Sequence, residues 1–196
     1  MDGDLLLTNL SPFTTIVTFN RPASRNSLSI ATLHELDSLL SILVNKPALK
    51  TLIFTGVENV FLSGANIREL SSLDSVTARE FSSLGQKLFQ RLTEAPQLTI
   101  AAINGYCMGG GLDFALACDI RLASSTAVFA HPGARLGIIT GWGGTQRLPR
   151  LIGKARAIEF FVTARLLVSN EALRIGLITG IFDPVIEEAL SIASSR

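Results

Sequence analysis

The chain has few of the residues that mark disulfide-bonded, metal-binding or membrane proteins. It contains only two cysteines, Cys107 and Cys118, which are too few for a disulfide framework and fit no metal-ligand spacing. Its most apolar window, 98–118, is interrupted by Asn104, by glycines and by Asp113, which argues against a membrane span. We therefore expect no metal site, no membrane partner and a reducing, cytoplasmic location.

Charge of either sign is also scarce. Only 17% of the residues are charged and the formal net charge is +1, which provides no basic surface for nucleic acid or for an anionic membrane. The acidic N-terminal stretch Met1–Asp4 lacks the basic region and long apolar run of a signal peptide.

Apolar residues are abundant instead. With 196 residues and 47% hydrophobic content, the chain is expected to fill one core as a single domain over residues 1–196. A mean hydropathy of +0.41 is high for a monomer, so either the core is unusually large for this length or another subunit covers part of the apolar surface. We favour the second interpretation.

Short apolar runs alternate with amphipathic stretches along the whole chain. The runs 51–55 and 98–103 are typical of strands buried on both faces of a parallel sheet. Leucines at helical spacing predict a helix over 29–44, and a second amphipathic pattern predicts one over 76–92. This alternation predicts an α/β fold with right-handed crossovers. Further strands are predicted at 15–19, 119–123 and 127–130, and further helices at 154–162, 170–175 and 185–193.

Three consecutive glycines, Gly109–Gly111, lie between a predicted strand and the apolar run 114–118. Glycines let a backbone approach a ligand closely, and the first amides of a helix are unpaired donors at the positive end of its dipole. Such amides can hold an oxygen that gains negative charge in a reaction. Asp113 follows Gly110 by three residues and projects on nearly the same side. It is either a carboxylate that takes part in the chemistry or an acid that stabilises the helix dipole.

A second glycine-containing segment, 63–68, follows a buried strand and precedes a short helical stretch. The amide of Ala65 is a candidate second donor. The alternative is an ordinary strand-to-helix turn in which Ser63 or Asn66 acts as a cap.

A third segment begins at His131 and continues to Trp142 and a run of basic residues. A histidine side chain titrates near neutrality and can serve as an acid or a base. A histidine before proline in a turn is more often structural, and we favour that interpretation here. Trp142 lies between two glycines, and its side chain either forms a pocket wall or packs in the core. The basic residues either meet an anionic ligand or a neighbouring subunit or form a solvated face, and we favour the solvated face: Arg147, Arg150, Lys154 and Arg156.

These segments belong to a longer ordered set. Its members are 20–22 (NRP), 26–28 (NSL), 63–67 (SGANI), 102–111 (AINGYCMGGG), 117–120 (ACDI) and 143–148 (GGTQRL). In this order they resemble the crotonase superfamily of acyl-CoA enzymes, the group of enoyl-CoA hydratases and isomerases. The resemblance spans nearly the whole chain, and the joint pattern is specific where each motif alone is not.

The resemblance implies a spiral of repeated ββα units, here with a C-terminal helical region that is short or missing. It implies one crotonase-like acyl-CoA-binding domain over residues 1–196, assembled as a homotrimer or as a hexamer of two trimers. It also implies a coenzyme A thioester as substrate, no permanently bound cofactor, and a place in fatty acid metabolism.

The resemblance also assigns site residues. Ala65 and Gly110 match the positions whose amides hold the thioester carbonyl as an enolate-like anion. Asp113 matches the first of two catalytic glutamates. Six residues are implied to bind the substrate: Arg25, Asn66, Ile67, Arg68, Gly109 and Trp142.

Two residues depart from the family pattern. Asp113 is one methylene shorter than the glutamate it replaces, and Gly133 stands where hydratases have their second glutamate. A carboxylate withdrawn by about 1.5 Å is harder to place within the roughly 2.6–3.2 Å that proton transfer needs.

Three hypotheses follow. The first is an enoyl-CoA hydratase or isomerase in which Ala65 and Gly110 polarise the carbonyl and Asp113 moves a proton or positions water. The second is another reaction through the same enolate, such as decarboxylation or carbon–carbon bond chemistry, which the glycine at position 133 favours. The third is a CoA-ester binding protein without catalysis. Whether His131 replaces the missing acid is left open.

Overall fold

The computed structural model describes residues 3–195. Met1, Asp2 and Arg196 lie outside the described residues. The prediction about the N-terminal stretch therefore falls partly outside them, and the single domain over 1–196 stays a prediction. The strands are, in chain order, β1 (Leu5–Ser11), β2 (Thr14–Phe19), β3 (Ser27–Leu28), β4 (Thr51–Gly56), β5 (Val60–Leu62), β6 (Gly64–Ala65), β7 (Leu98–Ile103), β8 (Tyr106–Met108), β9 (Ile120–Ala123), β10 (Val128–Ala130), β11 (Leu167–Val168) and β12 (Gly180–Ile181).

The α-helices are also numbered in chain order. They are α1 (Ile30–Leu43), α2 (Ile67–Leu70), α3 (Ser75–Thr93), α4 (Gly110–Ala115), α5 (Gly144–Ile152), α6 (Lys154–Thr163), α7 (Ser169–Arg174) and α8 (Val185–Ser194). None of the helices in the described part of the chain is long and apolar enough to cross a membrane.

The strands form two larger sheets and one small one. The main sheet has the order β1-β2-β4-β7-β9-β12, which is also the order along the chain. The second sheet has the order β11-β10-β8-β5, and β3 pairs with β6. Successive turns of chain place one strand in the main sheet, one in the second sheet, and then a helix: β4 and β5, β7 and β8, β9 and β10. This arrangement confirms the predicted α/β spiral of ββα units.

Local sequence explains why the predicted elements form. β4 pairs in parallel with both β2 and β7, and its first four residues are buried, as expected for an apolar run covered on both faces. Ser29 caps α1 by accepting a hydrogen bond from the Thr32 amide. Asp74 and Thr77 form a reciprocal capping box at the start of α3. These elements match their predicted positions to within two residues.

Phe114 lies at the centre of the core. Its ring lies 5.4 Å from that of Phe19, 5.0 Å from Phe54, 6.3 Å from Phe61 and 5.5 Å from Phe89, measured between centroids. Because Phe114 directly follows Asp113 on α4, the aromatic cluster anchors the helix that carries this carboxylate.

The opposite face of the main sheet is covered by α8. Val185, Ala189 and Ala193 of this helix pack with Ile53 and Ile100 of the sheet in a second apolar cluster. The sheet is thus buried on both sides, which explains why its central strands are almost wholly apolar.

Several short or irregular elements are not predicted by the sequence patterns. β5 and β8 are three residues long, too short to show a period. β1 is an edge strand with most of its residues exposed, and α5 begins with glycine and contains Pro149. Pairing with neighbouring strands, rather than local preference, decides that these short segments are strands.

Candidate active site

Glycines bring β6 against the start of α4. A Cβ atom added to Gly64 would lie 2.9 Å from the carbonyl oxygen of Met108 and 3.1 Å from the amide nitrogen of Gly110. Gly64 also has a φ of +97°, which side chains rarely permit. A Cβ atom added to Gly110 would lie 3.5 Å from the nitrogen of Ala65. The backbones of Ala65 and Gly110 therefore border the same small space.

The amides of Ala65 and Gly110 are available as donors. The Asn66 amide donates to the Leu28 carbonyl at 3.2 Å. Successive amides of a strand point to opposite sides, so the Ala65 amide points away from β3. Gly110 is the first residue of α4, so its amide has no partner within the helix. No residue between 3 and 195 accepts a backbone hydrogen bond from it.

Asp113 lies in the first turn of α4 and is fully buried. Its Oδ1 atom is 3.0 Å from Nε2 of His131, and its Oδ2 atom accepts a hydrogen bond from the Thr140 hydroxyl. The start of α5 packs against it, because a Cβ atom on Gly144 would overlap Asp113 Oδ1. The positive end of α4 stabilises a carboxylate here, and both its oxygens are held by side chains.

His131 follows β10 directly. The parallel pairing of β10 with β8 sets Ala130 opposite Met108, and the Gly109 amide donates to the Ala130 carbonyl at 2.9 Å. This register places His131 beside the glycine turn. The imidazole is only 4% exposed, and its ring contacts Phe161 with the centroids 4.9 Å apart. Tertiary structure thus pairs the histidine that we interpreted as structural with the candidate catalytic carboxylate.

A cavity of about 280 Å³ opens next to these groups. Ala65, Gly110, Asp113 and His131 border it on one side. Apolar side chains of α2 and α3 and of the segment 132–142 form the rest of its wall. An apolar cavity with a few convergent polar groups is the usual form of a small-molecule site.

Trp142 closes one end of this cavity. Its indole N–H donates to the Phe81 carbonyl at 3.3 Å, and its ring packs against the rings of Phe81 and Phe89. A Cβ atom on Gly85 or on Gly110 would overlap the indole, so both glycines make room for it. Trp142 is therefore both a pocket wall and a packing residue. On its far side lies a second cleft of about 980 Å³, lined mainly by polar and basic side chains.

Gly133 lies in the cavity wall and is covered by its own loop. Its carbonyl accepts a hydrogen bond from the Ile138 amide at 3.0 Å, and an added Cβ atom would lie 2.7 Å from the Ile138 carbonyl oxygen. The loop backbone occupies the space into which a side chain at position 133 would extend. A second carboxylate at this position would require the loop to move.

The other candidate substrate-binding residues differ in whether they border the cavity. Ile67 borders it and is 59% exposed. Asn66 caps α2 through its side chain, which accepts from the Arg68 amide. Arg68 and Arg25 are exposed and lie outside the cavity wall. The roles of all four in binding stay predictions.

Two polar residues acquire a role only in the folded structure. Thr140 is 27 positions from the carboxylate to which it donates, and no sequence signal links the two. Arg147 is half-buried and donates to the Trp142 carbonyl at 3.2 Å. Its burial lowers the pKa of the guanidinium below the ordinary value.

The prediction of a solvated face is therefore wrong for Arg147, because this side chain supports the loop that carries Trp142. The prediction is confirmed for the three other basic residues, which are exposed: Arg150, Lys154 and Arg156. Within residues 3–195, no three His, Cys, Asp or Glu side chains are grouped so that they could hold a metal ion.

Comparison with known proteins gives a consistent result. Residues 14–195 match the family model described as enoyl-CoA hydratase/isomerase. The chain is 42% identical over 170 residues to a short-chain-enoyl-CoA hydratase of Clostridium acetobutylicum. It is 41% identical over the same length to a crotonyl-CoA hydratase of Syntrophomonas wolfei. Each alignment covers 86% of this chain and 65% of the relative, so the chain spans just under two thirds of the length of these relatives.

The fold gives the same result. The crystal structure of an enoyl-CoA hydratase from Bacillus anthracis superposes with a TM-score of 0.94 at 34% identity, covering 98% of this chain and 76% of that one. The family model covers nearly all of the described residues, and the ββα spiral and the glycine turns agree with it. The chain belongs to the enoyl-CoA hydratase/isomerase family.

Proposed function

We propose that the chain is an acyl-CoA enzyme that adds water to the double bond of an enoyl-CoA or shifts that double bond. The observation that carries this proposal is the pair of free amides, on Ala65 and Gly110, beside the buried Asp113–His131 pair. The family supports a thioester of coenzyme A as the substrate. No permanently bound cofactor is required, since the groups that the reaction needs are amides and acid–base side chains.

The proposed reaction develops charge where the amides lie. Water adds its oxygen to the β-carbon of the enoyl group. The electron pair of the carbon–carbon double bond then joins the α-carbon to the carbonyl carbon, and the π pair of the carbonyl moves to the thioester oxygen. Two amides aimed at this oxygen lower the barrier by several kcal/mol, since each oxyanion donor contributes about 2.7–4 kcal/mol. The Asp113–His131 pair takes up the proton that water loses. The α-carbon then receives a proton as the thioester carbonyl is restored.

A direct assay tests the proposal. The purified 196-residue chain is expected to consume crotonyl-CoA in water, measured as loss of the absorbance of the conjugated thioester and as formation of 3-hydroxybutyryl-CoA by mass spectrometry. Tight binding of the ester with no product from any enoyl-CoA would support the non-catalytic hypothesis instead.

A second candidate function keeps the enolate but changes the reaction. The backbone over Gly133 leaves this site with one carboxylate, which favours decarboxylation or carbon–carbon bond chemistry over hydration. Offering the chain malonyl-CoA and β-ketoacyl-CoA esters beside crotonyl-CoA distinguishes these reactions by product mass.

The proposal extends to assembly and location. Large apolar side chains are exposed next to the candidate site, with Ile139 at 68% and Val162 at 70%. Both border a small cavity of about 230 Å³, and such a patch is typical of a covered surface. We infer a homotrimer or hexamer in the cytoplasm, and the molar mass of the purified chain from light scattering tests the assembly.

Trp142 is proposed to limit the length of the acyl chain, since its indole separates the cavity from the larger cleft. Trp142→Ala is expected to join the two spaces. The ratio of kcat/KM for decenoyl-CoA to that for crotonyl-CoA should then rise about tenfold or more, in the range by which hydrophobic pockets discriminate chain length.

Trp142→Phe is the matched control, because it keeps an aromatic ring against Phe81 and Phe89 and should give an intermediate ratio. Thermal melting of each variant separates this effect from loss of folding. An equal loss of activity on both esters would show that Trp142 does not set chain length.

A further inference from the structure

Asp113 and His131 differ in how many of their polar atoms form hydrogen bonds. Both carboxylate oxygens of Asp113 already hold a side chain, His131 on one and Thr140 on the other. The Asp113 side chain is 1% exposed. His131 uses only Nε2, and Nδ1 forms no hydrogen bond with any residue between 3 and 195. The imidazole therefore retains a free proton-accepting position.

The surroundings fix the orientation of the imidazole. Phe161 contacts the ring with centroids 4.9 Å apart, and Asp113 Oδ1 lies 3.0 Å from Nε2. With Asp113 as the acceptor of this hydrogen bond, Nε2 carries the proton and Nδ1 keeps a lone pair. A buried carboxylate that sets the tautomer of a histidine is the arrangement of known acid–base dyads.

His131 also occupies a position that Asp113 does not. His131 borders both the 280 Å³ cavity and the smaller cavity of about 230 Å³. Asp113 borders only the first of these two. His131 is thus shared by the candidate acyl site and a second space.

We propose that His131 is the group that exchanges a proton with the substrate, and that Asp113 positions it. This inference rests on the proposed function. As the water oxygen bonds to the β-carbon, one O–H bond of water breaks and its proton goes to Nδ1 of His131. The electron pair of the carbon–carbon double bond joins the α-carbon to the carbonyl carbon, and the π pair of the carbonyl moves to the thioester oxygen. When the carbonyl re-forms, the α-carbon takes the proton from the imidazolium, so one histidine performs both steps and ends neutral.

This assignment accounts for the glycine at position 133. A site in which one imidazole accepts and then returns the proton needs no second carboxylate. The buried charge of Asp113 stabilises the imidazolium between the two steps.

His131→Gln tests the assignment. The glutamine amide can donate to Asp113 in place of Nε2 but cannot accept a proton. We expect kcat on crotonyl-CoA to fall on the order of 10²–10³-fold while KM changes less than threefold. Exchange of the α-hydrogens of butyryl-CoA in D₂O, followed by mass spectrometry, should fall in parallel. His34→Gln is the matched control, because His34 is the other histidine and is exposed on α1.

His131→Ala provides a second test that does not depend on the glutamine. Added imidazole should restore part of its turnover, whereas pyrazole, of the same size but much less basic, should not. A loss of less than threefold in the kcat of His131→Gln would overturn the inference. His131 would then be a residue that orients Asp113. A wild-type chain that neither hydrates crotonyl-CoA nor exchanges α-hydrogens would overturn the proposed function, and this inference with it.

Discussion

Asp113→Asn is expected to lower kcat on crotonyl-CoA on the order of 10³–10⁴-fold. The asparagine amide can still meet His131 through its oxygen and Thr140 through its nitrogen, since a hydroxyl also accepts a hydrogen bond. The fold is thus preserved while the negative charge beside the imidazole is lost. Dissociation constants of a saturated acyl-CoA should change less than threefold, because in the proposed site backbone amides, and not Asp113, hold the carbonyl. Stopped assays and calorimetric titration measure the two quantities.

The matched control for this change is Asp74→Asn. Asp74 caps α3 with its side chain, and asparagine is an equally good cap, so activity and stability should both be retained. A value of kcat in Asp113→Asn close to that of the wild type would remove the carboxylate from the mechanism. Parallel loss of binding and turnover would assign it a structural role instead.

Phe114→Ala is expected to lower the free energy of unfolding by about 3–5 kcal/mol, the usual cost of removing a fully buried aromatic ring. Phe114 is completely buried and packs near four other phenylalanine rings, so the space cannot collapse without moving several strands. Such a loss is a large part of the roughly 5–15 kcal/mol that stabilises a typical domain. Urea denaturation followed by circular dichroism measures it.

Phe13→Ala is the control for this prediction, because the Phe13 side chain is 54% exposed. Its cost should stay within about 0.5 kcal/mol. A cost below about 1 kcal/mol for Phe114→Ala would mean that the core refills the cavity. Activity should fall with stability in Phe114→Ala, since the same helix carries Asp113.

The longer elements follow from local sequence. Leucines of α1 repeat at helical spacing behind the Ser29 cap, and β7 is apolar except for Thr99, so each is found where the pattern predicts it. The short strands β5 and β8 do not follow, because three residues carry no period. They form because each follows a strand of the main sheet and pairs with neighbouring strands in the second sheet.

The candidate site also has features that the sequence predicts and features that it does not. The glycine turns predict close backbone approach, and the amides of Ala65 and Gly110 do border one cavity. The pairing of Asp113 with His131 does not follow from sequence, because the two residues are 18 positions apart, with strands β9 and β10 between them. Neither does the contact with Thr140, which depends on how the segment after His131 folds back over α4.

The sequence by itself determined the α/β class, because strand periods, caps and glycine turns are encoded in residues close together along the chain. The resemblance carried by its ordered motifs implied the spiral and the family. Only the tertiary structure decided which side chains surround Asp113. It also decided that Gly133 is covered by backbone and that Trp142 closes the cavity. These are contacts between segments distant in sequence, fixed by strand register and core packing, and no local pattern records them.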